Sequence, residues 1–185
     1  MALSDEDLIR SVMAGEQGAF TRLFKQYEAP IFNSMVRIVG DHDQAADITQ
    51  QAFISAYEHL ATYDPNHRFF SWLYRIAWND AINCCNQKKN SKPLDHYELP
   101  SSDPTPEDCL LDKERDDNIN RAIAHLDFKY RVVLVLRHYL DLSYAEIAGI
   151  IDLPVSTVRS RIHTARHLLR DELTRESAQR ELCVV

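Results

Sequence analysis

A row of cationic and hydrogen-bonding side chains lies in the last third of the chain, within residues 155–170. Residues spaced three or four apart share one face of a helix, and at this spacing the sequence places Ser156, Arg159, His163, Arg166 and Arg170. No acidic residue interrupts the segment. Guanidinium groups bind phosphate oxygens and fork onto guanine edges in the major groove of DNA. The pattern therefore predicts a helix that presents one face to a polyanion.

The segment before this row predicts how it is held. Ser143 followed by Glu146 is a capping-box signature for a first helix, and Pro154 suits the first turn of a second. Two helices joined by so tight a turn are typical of a helix-turn-helix, whose second helix enters the major groove. We expect the following side chains to contact DNA there: Ser156, Thr157, Arg159, Ser160, Arg161, His163 and Arg166. The alternative is an amphipathic helix with a solvated basic face.

Composition indicates an all-α protein. The 185 residues include four glycines, 45% are hydrophobic, and the net charge is −7, which argues against a protein that simply coats nucleic acid. The four cysteines show no CxxC spacing, and neither a secretory signal nor an apolar run of membrane-spanning length is present. These features predict reduced thiols, a cytoplasmic location and no insertion into a membrane.

Helical periodicity runs through two blocks that a proline-rich stretch separates. We expect a helical domain at residues 1–89, a flexible linker at 90–106, a second helical domain at 107–176 and a tail at 177–185. Within these domains the third helix is expected to reach Tyr63 and the last to end near Arg175.

Aromatic residues cluster beside arginines in the first block. Phe69 and Phe70 follow Arg68 and precede Arg75, and rings flanked by cations suit unpaired bases, which stack on rings and bring phosphates near positive charge. The loop Tyr63–Phe70 is therefore a candidate for reading an unstacked base. The strand would continue along Asn79, Asn83, Lys88 and Lys89. The alternative is that Phe69 and Phe70 are core residues, as we expect Trp72 and Ile76 to be.

Longer stretches carry a resemblance to a known family. The first block contains FTRLFKQYEAPIF, DITQQAFISAYEHL and FFSWLYRIAWNDAIN, and the second contains LDLSYAEIAGIIDLPVSTVRSRIHTARHLL. These are similar to regions 2 and 4 of the extracytoplasmic-function (ECF) sigma factors, a group of the sigma-70 family of bacterial transcription initiation factors. The resemblance implies two small helical domains, sigma region 2 and sigma region 4 with its helix-turn-helix. It also implies a non-enzyme without a cofactor.

The resemblance assigns partners to these residues. It implies that the chain docks on core RNA polymerase, through the β′ clamp helices and the β flap, and opens promoter DNA. The basic row would read the −35 element, and the aromatic loop with the polar residues after it would read the −10 element. By the same resemblance Asp47, Gln50 and Phe53 meet the β′ clamp helices. The alternative for Phe53 is a place in the core.

The chain departs from the family where polymerase docking is expected. The family carries several acids there, whereas residues 44–51 read QAADITQQ and retain only Asp47. Phosphorylation of Thr49, or of Thr62 as second choice, would restore negative charge. This predicts a switch operated by a serine/threonine kinase. The family's commoner control, sequestration by an anti-sigma factor, is the alternative.

Other functions and sites were weighed against this one. A stand-alone helix-turn-helix regulator would bind two half-sites as a dimer, and an adaptor that binds only proteins would not need Arg159 or Arg166. His163 and His167 are four residues apart, but a third ligand is not evident, so we expect no metal site.

Overall fold

The computed structural model describes residues 4–90 and 118–183, with side chains given for all but Gln17, 86–90 and 176–183. The described residues are helices joined by turns, without strands, and they fall into two compact units. This confirms the all-α class with two helical domains. The predicted linker, residues 90–106, lies outside the described residues except for Asn90, so the predicted domain boundaries stay predictions.

The first unit contains four helices, α1 (Asp5–Met13), α2 (Gln17–Val39), α3 (His42–Glu58) and α4 (Phe69–Asn90), with a short 3₁₀ turn at Leu60–Thr62. Ser4 caps α1 by accepting a hydrogen bond from the Asp7 amide. Gly40 ends α2 at a φ of 77°, a left-handed conformation that glycine adopts without strain. Helix α3 ends at Glu58, before Tyr63, where we had expected its end.

The core of the first unit lies between α2, α3 and α4. Leu23, Ile31, Met35 and Leu73 are fully buried, as is the ring of Tyr74. The Tyr74 hydroxyl donates a hydrogen bond of 3.0 Å to Ser34 Oγ, which itself donates to the Ile31 carbonyl at 2.7 Å. The buried hydroxyls of Tyr74 and Ser34 are thereby satisfied, as burial requires.

The second unit contains helical residues 118–124 (α5), α6 (Phe128–His138), most of α7 (Tyr144–Ile151) and α8 (Val155–Cys183). Helices α6 and α8 pack against each other. The Arg137 guanidinium donates to the Leu142 carbonyl at 2.9 Å and to Asp141 Oδ1 at 3.2 Å. These bonds fix the chain between α6 and α7. Helix α8 continues to Cys183, beyond the predicted end near Arg175.

The turn from α7 to α8 has the predicted caps. The Ser143 amide donates to Glu146 Oε2 at 2.8 Å, and the Glu146 amide donates to Ser143 Oγ at 3.2 Å, which confirms the capping box. At the other end Asp152 has a φ of 52°, and the Leu153 amide bonds to the Ala148 carbonyl at 3.1 Å. Helix α7 thus ends in a left-handed conformation. Helix α8 begins three residues later, at Val155.

Candidate nucleic-acid and polymerase interfaces

The basic row of α8 forms an exposed face. Val158, Ile162 and Ala165 point inward and are buried, which turns the opposite side of the helix outward. The residues exposed on that side are Ser156, Arg159, Ser160, His163, Arg166, His167 and Arg170. The structure thus brings together most of the side chains predicted to contact DNA.

Two members of the predicted set lie elsewhere on α8. Thr157 and Arg161, one turn apart on the helix, are half-buried and so less accessible than the exposed residues. The rings of His163 and His167 stand edge to face, 4.6 Å between centroids. Within the described residues no third side chain joins them in a metal-binding cluster.

Phe69 and Phe70 are core residues, contrary to the prediction that their rings receive bases. They are only 2% and 7% exposed. The ring of Phe69 packs against Tyr27, 5.8 Å between centroids, and against Tyr63 at 5.5 Å. Trp72, which we had assigned to the core, is half-buried, as is Ile76. The first turn of α4 is amphipathic, and the sequence alone did not show which rings face inward.

The loop before α4 borders a cavity of about 440 Å³. Its lining comes from α1, α2 and the loop, and consists of Ser4, Asp5, Glu6, Tyr27, Tyr63, Pro65, Asn66, His67, Arg68, Phe69 and Phe70. The loop is braced from within, because the Tyr63 hydroxyl donates to the His67 carbonyl at 2.6 Å and the Asn66 amide donates to Asp64 Oδ1 at 2.9 Å. Sequence analysis singled out the loop but not the part played by α1.

An exposed polar row leads along α4 from this loop. Arg68 is exposed just before the helix, and Arg75, Asn79 and Asn83 are exposed on it at intervals of four residues. They therefore share one face of α4. The side chains of Lys88 and Lys89, predicted to extend this row, lie outside the described residues.

The predicted polymerase-docking residues of α3 do not share one environment. Asp47 and Gln50 are exposed. Phe53 is only 3% exposed and packs its ring against Phe24, 4.7 Å between centroids, so it is a core residue. The outward apolar residues are Ile54 and Tyr57, 46% and 55% exposed, which sequence analysis missed. Ile54 lies seven residues after Asp47, two helical turns on, and this spacing could have identified it.

Comparison with protein families places both units. Residues 23–90 match the family model described as Sigma-70 region 2, and residues 116–169 match Sigma-70, region 4. The ECF RNA polymerase sigma factor SigW of Bacillus subtilis is 36% identical over 176 residues, which cover 89% of this chain and 94% of SigW. The chain belongs to the ECF sigma factors. It is a transcription initiation factor for RNA polymerase, as the resemblance implied.

Further relatives agree over nearly the whole chain. The ECF RNA polymerase sigma-E factor of Escherichia coli K12 is 34% identical over 182 residues, covering 92% of this chain and 95% of that factor. Among solved structures, CnrH in complex with the cytosolic domain of CnrY superposes with a TM-score of 0.69 at 23% identity, over 92% of this chain and 97% of CnrH. The sigma factor RpoE of Bartonella quintana, in complex with the anti-sigma factor NepR, superposes with a TM-score of 0.71 at 18% identity, over 84% and 96%.

Thr49 of this sigma factor is a poor target for a kinase. Its side chain is only 4% exposed, and its hydroxyl donates a hydrogen bond of 2.7 Å to the Ala45 carbonyl one turn earlier on α3. A kinase could reach that oxygen only if α3 opened locally. Thr62, the second choice, is exposed, with its hydroxyl donating to the His59 carbonyl at 2.8 Å.

Region 4 of this sigma factor also carries an apolar groove of about 550 Å³, which sequence analysis did not identify. Its walls come from α5, α6 and α8 and are formed by Ile119, Ile123, Leu134, His138, Tyr139, Leu169 and Leu173, with Arg166 and Arg170 also lining it. Burial, with the charges of Arg166 and Arg137, lowers the pKa of His138. His138 therefore contributes a neutral ring to the groove at neutral pH.

No helix among the described residues combines the length and apolar character of a membrane span.

Proposed function

We propose that this sigma factor reads the −35 element with the exposed face of α8. The observation that carries the proposal is the capped helix-turn-helix, in which buried Val158 and Ile162 turn Arg159, His163 and Arg166 outward. Side chains near the start of a recognition helix reach base edges, and those further along meet phosphates. Arg159 is accordingly the base-reading candidate, and Arg166 a phosphate contact.

The −10 element is read, in this proposal, by the loop before α4 and the polar row that follows it. Because Phe69 and Phe70 are buried, they serve as the floor of the loop's cavity and not as free stacking platforms. Arg68, Arg75, Asn79 and Asn83 are exposed along the path of the strand. Single-stranded DNA is bound by such a cationic and polar track, with bases held by rings beside it.

Core polymerase is bound through one surface on each unit. On α3 the exposed residues Asp47, Gln50, Ile54 and Tyr57 offer an apolar contact between polar groups that set register, which suits the β′ clamp helices. The apolar groove of region 4 suits a helix such as that of the β flap. The chain acts as a non-catalytic subunit in the cytoplasm, where its polymerase is found.

Control by an anti-sigma factor is the regulation that the comparisons favour, since RpoE of Bartonella quintana was solved in complex with one. A kinase acting on Thr49 is disfavoured by the burial of that side chain. A phosphorylation switch would need Thr62, which is exposed.

Transcription with purified core polymerase tests the −35 assignment. We expect Arg159→Ala to weaken promoter binding by about 1–3 kcal/mol and to relax the preference at one −35 base. Transcription from a cognate promoter should fall accordingly. Arg175→Ala is the matched control, because Arg175 is exposed on the same helix but lies off the basic face and pairs with Glu172 at 3.0 Å. Equal effects of the two changes would contradict the assignment.

The same assay separates the alternative functions. A stand-alone regulator would bind its duplex site without core polymerase, whereas a protein-binding adaptor would tolerate loss of both Arg159 and Arg166. The match of residues 23–90 to region 2 favours the sigma factor over either.

A further inference from the structure

The cavity beside the loop of region 2 is walled on one side by carboxylates from α1. Asp5 and Glu6 lie in the first turn of that helix and line the cavity together with Tyr27, Asn66 and Arg68. Such a wall is unexpected at a site for a polyanion, because carboxylates repel phosphates. It is expected where the group to be held is a hydrogen-bond donor.

Asp5 is held in place by neighbours on α2. The Tyr27 hydroxyl donates to Asp5 Oδ2, and Gln26 Nε2 donates to Asp5 Oδ1 at 3.2 Å. Burial, the hydrogen bond to Asp5 and the charge of Asp5 together raise the pKa of Tyr27, so its phenol stays protonated and keeps donating. Asp5 therefore fastens α1 to the cavity wall and has part of its acceptor capacity already in use.

Glu6 is the carboxylate with acceptor capacity to spare. It is exposed and lines the cavity, and among the described residues no hydrogen bond or ion pair engages its side chain. Burial, and after it the charges of Asp5 and Glu6, raise the pKa of Tyr63, which also lines the cavity. Asp64, by contrast, is occupied within the loop, where it accepts two bonds of 2.9 Å from Asn66.

The remaining lining suits a flat aromatic group. Tyr27 lies 5.5 Å from Phe70 and 5.8 Å from Phe69, centroid to centroid, and Tyr63 closes the ring cluster. An extruded base can stack against the half-buried rings of Tyr27 and Tyr63 and form hydrogen bonds through its Watson–Crick edge. A carboxylate on that edge accepts from exocyclic amino groups, as Asp and Glu do from cytosine N4.

We infer that Glu6 is a specificity-determining residue of the −10 site, selecting an extruded base that carries an exocyclic amino group over thymine. Cytosine, adenine and guanine each present an amino donor, whereas thymine presents two carbonyl oxygens around one N–H. Those oxygens would face the Glu6 carboxylate and be repelled. This inference rests on the proposed −10 role of the loop and adds α1 to it.

The test is transcription by the full chain with purified core polymerase, on templates carrying each of the four bases at every position of the non-template −10 segment. At the position that the cavity reads, we expect wild type to favour amino-bearing bases over thymine by about tenfold. Glu6→Gln should bring that ratio close to one. Glu16→Gln is the matched control, since Glu16 is also exposed but does not line the cavity, and it should keep the wild-type ratio.

A second measurement uses the wild-type chain alone and so does not depend on how a variant folds. Replacing adenine by purine, or guanine by hypoxanthine, at the selected position removes only the amino group and should lower transcription to about the level of thymine. The inference is overturned if these analogues behave like their parents, or if Glu6→Gln changes transcription equally for all four bases. Loss of promoter-dependent transcription on every template would instead contradict the proposed function.

Discussion

Thr49 has a hydroxyl at a place in α3 where added charge would be costly. Its side chain is buried, and its hydroxyl donates to the Ala45 carbonyl of the same helix. A carboxylate there would face that carbonyl oxygen, and a buried charge without a partner is strongly unfavourable. At the scale of single residues, burial thus decides which of two threonines can serve as a switch.

We expect Thr49→Asp to lower the free energy of unfolding of region 2 by about 3 kcal/mol or more, for this reason. Thr62→Asp is the control, because Thr62 is exposed, and its effect should stay within about 0.5 kcal/mol. Urea denaturation followed by tryptophan fluorescence measures this selectively, since both tryptophans, Trp72 and Trp78, lie in α4. A Thr49→Asp protein as stable as wild type would show that this site accepts charge.

Tyr74 links the core of region 2 to pH. Burial raises its pKa above the ordinary value of 10.0, and the bond that it donates to Ser34 is a smaller, opposing influence. The unfolded chain therefore loses this proton at lower pH than the folded chain does. The stabilisation is complete below pH 10 and is lost as pH rises from there towards the folded pKa.

We therefore expect region 2 to lose stability above pH 10, and Tyr74→Phe to reduce the steepness of that loss. At pH 8 the same change should cost about 1 kcal/mol, because the hydrogen bond to Ser34 is gone. Urea midpoints of both proteins from pH 8 to pH 11 provide the comparison. Parallel pH profiles would mean that Tyr74 ionises equally easily in the folded and unfolded chain.

At the scale of elements, α3 presents two faces with separate tasks. Phe53 faces inward against Phe24, whereas Ile54 and Tyr57 face outward beside Asp47 and Gln50. Adjacent residues of a helix point about 100° apart, so one position separates a core side chain from a docking side chain.

Substitution of Ile54 should change the affinity for core polymerase, whereas substitution of Phe53 should change the stability of the fold. Ile54→Glu should weaken binding to core polymerase about tenfold or more while leaving stability unchanged, because a charge replaces an exposed apolar contact. Phe53→Ala should cost about 3–5 kcal/mol of stability, because it leaves a cavity. Fluorescence anisotropy with labelled protein measures the affinity, and Met13→Glu, at another exposed apolar position, is the control. Unchanged affinity of Ile54→Glu would exclude this face.

The existence of the helices and their caps could be predicted from the sequence. Which side chains face inward and are buried could not. Ser143 and Glu146 form the expected capping box, and α2 continues through Pro30 as expected. Local rules suffice for such features because the interacting atoms are within one turn. The inward positions of Phe69 and Phe53 depend on neighbours from α2, far away in the sequence. The same holds for the carboxylates that α1 brings to the cavity.

At the scale of the whole molecule, the basic face of α8 belongs to a chain whose net charge is negative. The net charge of −7 opposes general binding to DNA, and the cations of the exposed α8 face are concentrated where no acid intervenes. Binding to DNA by the chain alone should therefore be weak and strongly reduced by salt. Promoter choice then depends on the assembly of this chain with core polymerase.

The most direct measurement of this account is start-site mapping of transcripts made by purified core polymerase, with and without the chain, on a promoter library. We predict specific start sites only when the chain is present, and their loss when Arg159 and Arg166 are both changed to Glu, since charge reversal would turn attraction to the −35 DNA into repulsion. Equal initiation by core polymerase alone, or unchanged start sites with the doubly reversed protein, would contradict it.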